Sequence, residues 1–135
     1  MTRMADDPQA VKALVAEMLS PEIAEALANG GNSGEFGGHL GKLAYDYVFG
    51  ELWSRPGLDR RSRSLVTLGI LIALRATEEL HFHIPAALKN GLTLQEIEEV
   101  IYHASGYAGF PAAASARTLA AKILAGRGPA GNDGE

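Results

Sequence analysis

A carboxylate and an imidazole stand four residues apart near the middle of the chain. On a helix, the spacing of Glu79 and His83 places both side chains on one face, one turn apart. Apolar residues around them indicate that this face points inward. A carboxylate and an imidazole held in a mostly apolar pocket can move a proton, so this stretch is the first candidate for an active site.

Each of these two residues also has a structural interpretation. His83 can be a core histidine bonded to a backbone carbonyl, and Glu79 can stabilise the first turn of its helix, where the dipole favours a carboxylate. A metal site would need His39 as a third ligand beside this pair, and we expect no metal.

His103 lies one turn after Glu99 and is expected to form a surface pair with it.

Composition limits the classes of protein to consider. The 135 residues suffice for one domain with a sizeable core, and 47% of them are hydrophobic against 21% charged. The net charge of -4, without a block of basic residues, argues against binding to nucleic acid or to an anionic membrane. The absence of cysteine excludes disulfides and thiol redox chemistry.

No stretch of the given sequence is typical of a membrane span or of a secretory signal. Its longest apolar run, Leu65 to Leu74, has about half the length that a bilayer crossing needs, and the first eight residues lack the hydrophobic stretch of a secretory signal. We therefore expect a cytoplasmic protein.

Apolar residues recur every three or four positions and predict an all-α fold. No segment has a convincing strand period. The expected architecture is a single-domain bundle of about six or seven helices, with a central helical hairpin at residues 60–90. Helices are predicted over 8–18, 22–29, 35–53, 60–75, 77–90, 93–107 and 112–125. The expected capping residues are Asp7, Asp59, Thr77 and, in a capping box with Glu96, Thr93.

Two glycine-rich stretches set the expected domain bounds. Residues 30–34 lack the spacing of a phosphate-binding loop and are predicted to be a flexible connection. Residues 126–135 are glycine-rich and polar, which is typical of a disordered tail. We expect an N-terminal helical segment with its linker at 1–34, a domain at 35–125 and a tail at 126–135.

Two predicted helices carry more apolar surface than one small domain can cover. The chain is apolar on every side from Leu65 to Leu74, so this helix should lie at the centre of the domain or across a subunit interface. Residues 112–125 are so rich in alanine that another helix can approach closely. We therefore expect a homo-oligomer.

Three stretches of the sequence share the pattern of a known family. They are Trp-Ser-Arg-Pro-Gly-Leu at 53–58 followed by Arg-Ser-Leu at 63–65, Glu-Leu-x-x-His at 79–83 followed by Ala-Leu-Lys-Asn-Gly-Leu-Thr at 87–93, and Tyr-Ala-Gly-Phe-Pro-Ala-Ala at 107–113. Together they resemble the carboxymuconolactone decarboxylase family, over roughly residues 43–124. The resemblance implies an all-helical, alkylhydroperoxidase D-like fold that assembles as trimers or hexamers, with sites near subunit interfaces.

The family has a peroxidase branch and a decarboxylase branch. The peroxidase branch uses a Cys-x-x-Cys pair before a histidine, and counting back from His83 those cysteines would fall at Ala76 and Glu79. Thiol peroxidase activity is therefore excluded. The decarboxylase branch removes carbon dioxide from 4-carboxymuconolactone in the β-ketoadipate pathway of aromatic catabolism, and the pair Arg63-Ser64 resembles that branch. Pro85 and Ala108 depart from the family pattern, which affects the expected substrate more than the expected fold.

The resemblance implies decarboxylation of a small carboxylated lactone, 4-carboxymuconolactone, to 3-oxoadipate enol-lactone. That reaction needs donors near the developing oxyanion, a cation for the substrate carboxylates and an acid that protonates carbon, but no metal or organic cofactor. We predict His83 and Glu79 as catalytic residues. His83 would be the proton donor or the oxyanion hydrogen-bond partner, and Glu79 would orient it or share the proton.

Three further residues are predicted to bind the substrate, each with a structural alternative. Arg55 could hold a carboxylate bidentately, or it could bond backbone carbonyls or an acidic neighbour as a turn residue. Trp53 could line the pocket or belong to the core. Tyr107 could donate its hydroxyl to the substrate or simply pack. The alternative for the whole chain is a substrate-divergent or non-catalytic family member, a helical oligomer that binds a small molecule.

Overall fold

The computed structural model describes residues 4–30 and 34–127, and within these ranges the chain is all-helical, as predicted. The described part contains seven α-helices, and none of its helices combines the length and hydrophobicity that a bilayer crossing requires. The elements are a 3-10 turn (Met4–Asp6), α1 (Pro8–Met18), α2 (Pro21–Ala28), α3 (Leu40–Ala44), a π-helix (Tyr45–Trp53), α4 (Arg60–Leu74), α5 (Thr77–Lys89), α6 (Leu94–Tyr107) and α7 (Phe110–Ala125).

The chain forms two compact units, Met1–Leu58 and Asp59–Glu135. In the first unit, Phe49 and Trp53 of the π-helix join the hydrophobic cluster of α1 and α2. Helices on both sides of residues 30–34 contribute to this cluster. The predicted bounds 1–34, 35–125 and 126–135 stay predictions, and residues 1–3, 31–33 and 128–135 lie outside the described residues.

Several helices begin at the capping residues that the sequence predicts. The Asp7 carboxylate accepts hydrogen bonds from two backbone N–H groups at the start of α1, and Asp59 accepts one from the Ser62 N–H at 2.7 Å at the start of α4. Thr93 and Glu96 form the reciprocal capping box of α6, with bonds of 2.9 and 3.0 Å. These bonds satisfy N–H groups that have no partner inside the helix.

The predicted helix over 35–53 is shorter and less regular than expected. It begins at Leu40 because Gly37 has a φ of 71°, a left-handed conformation that interrupts a helix. From Tyr45 onward the backbone is a π-helix, which apolar spacing alone does not distinguish from an α-helix.

A tight turn joins α4 to α5. Arg75 has a φ of 56°, and the N–H groups of Arg75 and Ala76 donate to the carbonyls of Ile72 and Leu71 at 3.0 and 2.9 Å. This is a Schellman motif with arginine at the left-handed position that usually holds glycine. The turn makes Ala76 the residue before α5, so the expectation that Thr77 caps this helix is wrong.

The second unit has its own core, to which α4, α5, α6 and α7 all contribute. The alanines of α7 allow α5 and α6 to approach it closely, which confirms the prediction for that helix. The buried residues are Leu68, Ile72, Leu80, Ile84, Ala87, Leu88, Leu92, Ile97, Ile101, Ala112, Ala113, Ala116 and Ala120.

Helix α4 is not central in this core. It buries Leu68 and Ile72, but Val66, Ile70 and Leu74 on its opposite side are 54%, 53% and 70% exposed. The expectation of a helix at the centre of the domain is therefore wrong, because only one side of α4 faces α5, α6 and α7. The other expectation, a subunit interface, remains a prediction.

Candidate active site

Glu79 and His83 lie one turn apart on α5, as their spacing predicts. The neighbouring residues Leu80 and Ile84 are only 1% and 2% exposed, so core packing fixes the rotation of the helix. This rotation leaves Glu79 exposed in the first turn and His83 partly buried. The predicted inward face therefore applies to His83 and not to Glu79.

The environment of His83 favours the uncharged imidazole. Burial lowers the pKa of His83 below its ordinary value of 6.5, and the Glu79 carboxylate partly offsets this effect because it attracts the imidazolium. At neutral pH the ring is therefore neutral, with one nitrogen that donates a hydrogen bond and one that accepts. Such a ring can stabilise a developing negative charge on oxygen without carrying a charge itself.

The same pKa shift predicts a pH-dependent stability. Unfolded His83 takes up a proton near pH 6.5 and folded His83 only at lower pH, so acidification favours the unfolded state. The contribution is complete above pH 6.5 and is lost as the pH falls through the folded pKa, with a slope of at most about 1.4 kcal/mol per pH unit. Urea denaturation at a series of pH values measures this slope.

Two substitutions separate His83 from the other groups that titrate. His83→Gln is expected to flatten the dependence below pH 6.5, whereas His81→Gln, at an exposed position two residues away, serves as the matched control. A slope that survives His83→Gln unchanged would contradict the assignment.

A partly buried hydrogen bond beside this helix was not predicted from the sequence. Ser64 of α4 is 3% exposed, and the Asn90 side-chain amide donates to its hydroxyl at 3.0 Å. The bond ties the start of α4 to the end of α5 and so helps to position the helix that carries Glu79 and His83. Ser64 belongs to the stretch that resembles the family, but no feature of the sequence indicated that its partner is Asn90.

Tyr107 lies in a different place from the Glu79–His83 pair. Its side chain is 87% exposed, so the alternative of a packed tyrosine is wrong for the single chain. It lines a cavity of about 680 Å³ between α4 and α6, whose lining includes neither Glu79 nor His83. The predicted role of Tyr107 in substrate binding stays a prediction.

His103 lines the same cavity and contacts Tyr107 rather than Glu99. The His103 ring centre is 5.2 Å from that of Tyr107, with the planes tilted by 32°. Within the described residues, no ion pair joins His103 to Glu99, so the expected surface pair is wrong. Glu99 lines the cavity with them, and Glu96 is paired with Arg61.

Trp53 and Arg55 belong to the first unit. Trp53 is 7% exposed and packs in the cluster of α1 and the π-helix, as its structural alternative predicts. Arg55 is exposed in the turn after the π-helix, where its N–H donates to the Leu52 carbonyl at 3.2 Å. The predicted roles of both residues in substrate binding stay predictions.

Metal binding has no candidate cluster in the described ranges. Between residues 4 and 30 and between 34 and 127, no three histidine, aspartate or glutamate side chains lie close enough together to hold an ion. His39, the third ligand that a metal site would have needed, is exposed just before α3.

Comparison with known proteins identifies the family of this chain. It is 46% identical over 78 residues to a 4-carboxymuconolactone decarboxylase of Acinetobacter baylyi, covering 58% of each chain. It is 41% identical over 83 residues to a nitrosuccinic acid decarboxylase of Metarhizium robertsii, covering 62% of this chain and 58% of that one. The chain thus spans less than two thirds of the length of either relative. The sequence model of one family matches residues 39–122, well over half the chain, and the protein belongs to the carboxymuconolactone decarboxylase family.

Proposed function

We propose that this protein is a decarboxylase that converts 4-carboxymuconolactone to 3-oxoadipate enol-lactone without a metal or organic cofactor. The observation that carries the proposal is the Glu79–His83 pair on α5, in which a partly buried, neutral imidazole lies beside an exposed carboxylate. The similarity to the Acinetobacter decarboxylase supports the choice of substrate.

The reaction moves one electron pair through the lactone ring. The bond between the γ-carbon and its carboxylate breaks, and carbon dioxide leaves. The pair forms a new double bond between the β- and γ-carbons, the electrons of the former double bond form one between the α-carbon and the carbonyl carbon, and the carbonyl π electrons move onto its oxygen. Protonation of the α-carbon then gives the product enol-lactone, so the reaction consumes one proton and needs no oxidant.

In this proposal the neutral His83 ring donates its N–H to the carbonyl oxygen as negative charge develops there. Donors fixed in a partly buried site stabilise such a charge more than water does. Glu79 accepts from the other side of the ring or shares its proton, which sets the tautomer that faces the substrate. Because Glu79 is exposed, it also offers a path for proton exchange with solvent.

A substrate-divergent activity is the second candidate, and the similarity to a nitrosuccinic acid decarboxylase favours it. Nitrosuccinate and 4-carboxymuconolactone both carry two carboxylates, and in both an oxygen atom can take up the electron pair that carbon dioxide leaves. One hydrogen-bond donor such as His83 could serve either reaction. The choice then depends on the residues that hold the second carboxylate of the substrate.

Carbon dioxide release from each of the two acids tests the proposal. We expect turnover of 4-carboxymuconolactone by the purified protein, unchanged after treatment with a chelator, and a rate that is constant above about pH 6.5 because the donor is neutral there. Turnover of nitrosuccinate alone would select the second candidate. A folded protein that releases carbon dioxide from neither acid would refute both.

A further inference from the structure

We propose that the cavity between α4 and α6 binds a small aromatic amine, with the ring of the ligand in the apolar part of the cavity and its ammonium group against Glu99. The cavity lies within the second unit, and its lining includes neither Glu79 nor His83. The proposal therefore does not depend on the activity proposed above.

The floor of the cavity is apolar and belongs to the core. Helix α4 contributes Leu65, Gly69 and Ala73, and α6 contributes Val100 and Ala104, in each case at intervals of four residues. Leu65, Val100 and Ala104 pack against the core of the second unit, so the floor is held in place without a ligand. The volume of about 680 Å³ suits a small molecule, since ligand sites are concave, mostly apolar and largely preformed.

Gly69 keeps the middle of this floor open. It stands inside α4, where glycine is less favourable than alanine, and its φ is not positive. A Cβ at this position would meet no other atom of the described chain within 4 Å. Neither the backbone conformation nor the packing of α4 therefore requires glycine, whereas a larger side chain would take up space in the cavity.

Two aromatic side chains of α6 form one wall of the cavity. His103 and Tyr107 lie one turn apart, with ring centres separated by 5.2 Å and planes tilted by 32°. The Tyr107 side chain is 87% exposed, so most of its surface is available to a ligand. Aromatic groups pack favourably against one another, and a cation close to the face of a tyrosine ring is attracted to it. This wall favours an aromatic cation over an aliphatic chain.

The charge of the lining also favours a cation. Glu96 and Glu99 are the two carboxylates of the lining, and none of the described residues around the cavity is a lysine or an arginine. Glu96 is paired with Arg61, whereas the exposed Glu99 has no ion-pair partner in the described part of the chain. An ammonium group beside Glu99 would complete a pair of opposite charges, and a ligand with carboxylates would meet a like charge.

Tryptamine and indole-3-propionate test this site because they carry the same ring and opposite charges. At about pH 8 an alkylamine is protonated and an imidazole is ordinarily neutral. We expect tryptamine to bind to the whole protein, and indole-3-propionate to bind about fivefold more weakly or less. Isothermal titration measures the two affinities, and backbone amide chemical shifts in α4 and α6 locate the ligand.

Glu99→Gln removes the charge and keeps the size of the side chain. It should weaken tryptamine binding by about two- to fivefold and should not weaken the binding of indole-3-propionate. Glu98→Gln is the matched control, since Glu98 is exposed on the same helix and does not line the cavity. This control should leave both affinities unchanged.

Gly69→Leu fills the cavity and should abolish the binding of both ligands. The helix should persist, because leucine is the better helix former and the position has free space. Gly106→Leu is its control: Gly106 is exposed on α6, has equal free space and lies outside the cavity, so this variant should bind tryptamine as the wild type does.

Four results would overturn the proposal. They are a wild type that does not bind tryptamine, a Gly69→Leu variant that binds it as well as the wild type, a Glu99→Gln variant with unchanged affinity, and tighter binding of indole-3-propionate than of tryptamine. The last result would instead support the predicted role of Tyr107 in binding a carboxylated substrate.

Discussion

The His83→Ala variant is expected to lose at least about 100-fold in kcat/KM for 4-carboxymuconolactone, because removing one donor to a developing oxyanion costs this much in other enzymes. The fold should survive, since His83 is only partly buried and the core of α5 is formed by Leu80, Ile84, Ala87 and Leu88. Carbon dioxide release measures the activity, and circular dichroism with size exclusion measures the fold.

His83→Gln separates hydrogen bonding from proton transfer. The glutamine amide can donate to the oxyanion but cannot be a general acid, so we expect it to recover part of the activity that alanine loses. If glutamine is as inactive as alanine, His83 acts as the proton donor instead. If both variants keep the wild-type kcat/KM, His83 has no part in the reaction.

The sequence predicted the helices well where capping signals and apolar spacing agreed. Asp7, Asp59 and the pair Thr93–Glu96 all cap as expected, because these contacts are made within a few residues and need no tertiary information. The π-helix after Tyr45 could not be predicted, since its hydrophobic spacing over nine residues also fits an α-helix.

The candidate site was less predictable than the fold. The spacing of Glu79 and His83 gave their shared helix and their separation, but not their unequal burial, which depends on how Leu80 and Ile84 rotate α5 against its neighbours. The number of residues between His83 and Tyr107 does not predict how far apart their side chains lie in the fold. The structure puts Tyr107 in the cavity between α4 and α6, through packing that no local pattern encodes.

The left-handed conformation of Arg75 is a second feature that the sequence does not predict. Two backbone bonds fix it in a Schellman turn at φ 56°, a position where sequence reasoning looks for glycine or asparagine. No glycine stands between α4 and α5, so Thr77 was the best capping signal in the sequence. Helix α5 instead begins directly after the turn formed by Arg75 and Ala76.

Leu80→Ala is expected to lower the free energy of unfolding of the second unit by about 2–5 kcal/mol, the usual cost of truncating a buried leucine. Leu80 is 1% exposed in the core shared by α4, α5, α6 and α7. Amide hydrogen exchange along α5 measures the loss within that unit, which denaturation of the whole chain would average with the first unit.

Phe82→Ala is the matched control, because it removes a larger side chain from the same helix at a position that is 50% exposed. It should cost about 1 kcal/mol or less of unfolding free energy.

The two variants should also differ in activity. Leu80 adjoins Glu79 and lies three residues before His83, so a cavity at Leu80 should loosen the part of α5 that carries the pair and lower kcat. Phe82→Ala should leave kcat unchanged. Equal losses of stability in the two variants would mean that α5 is not held by the core in this way, and the positioning of His83 would need another cause.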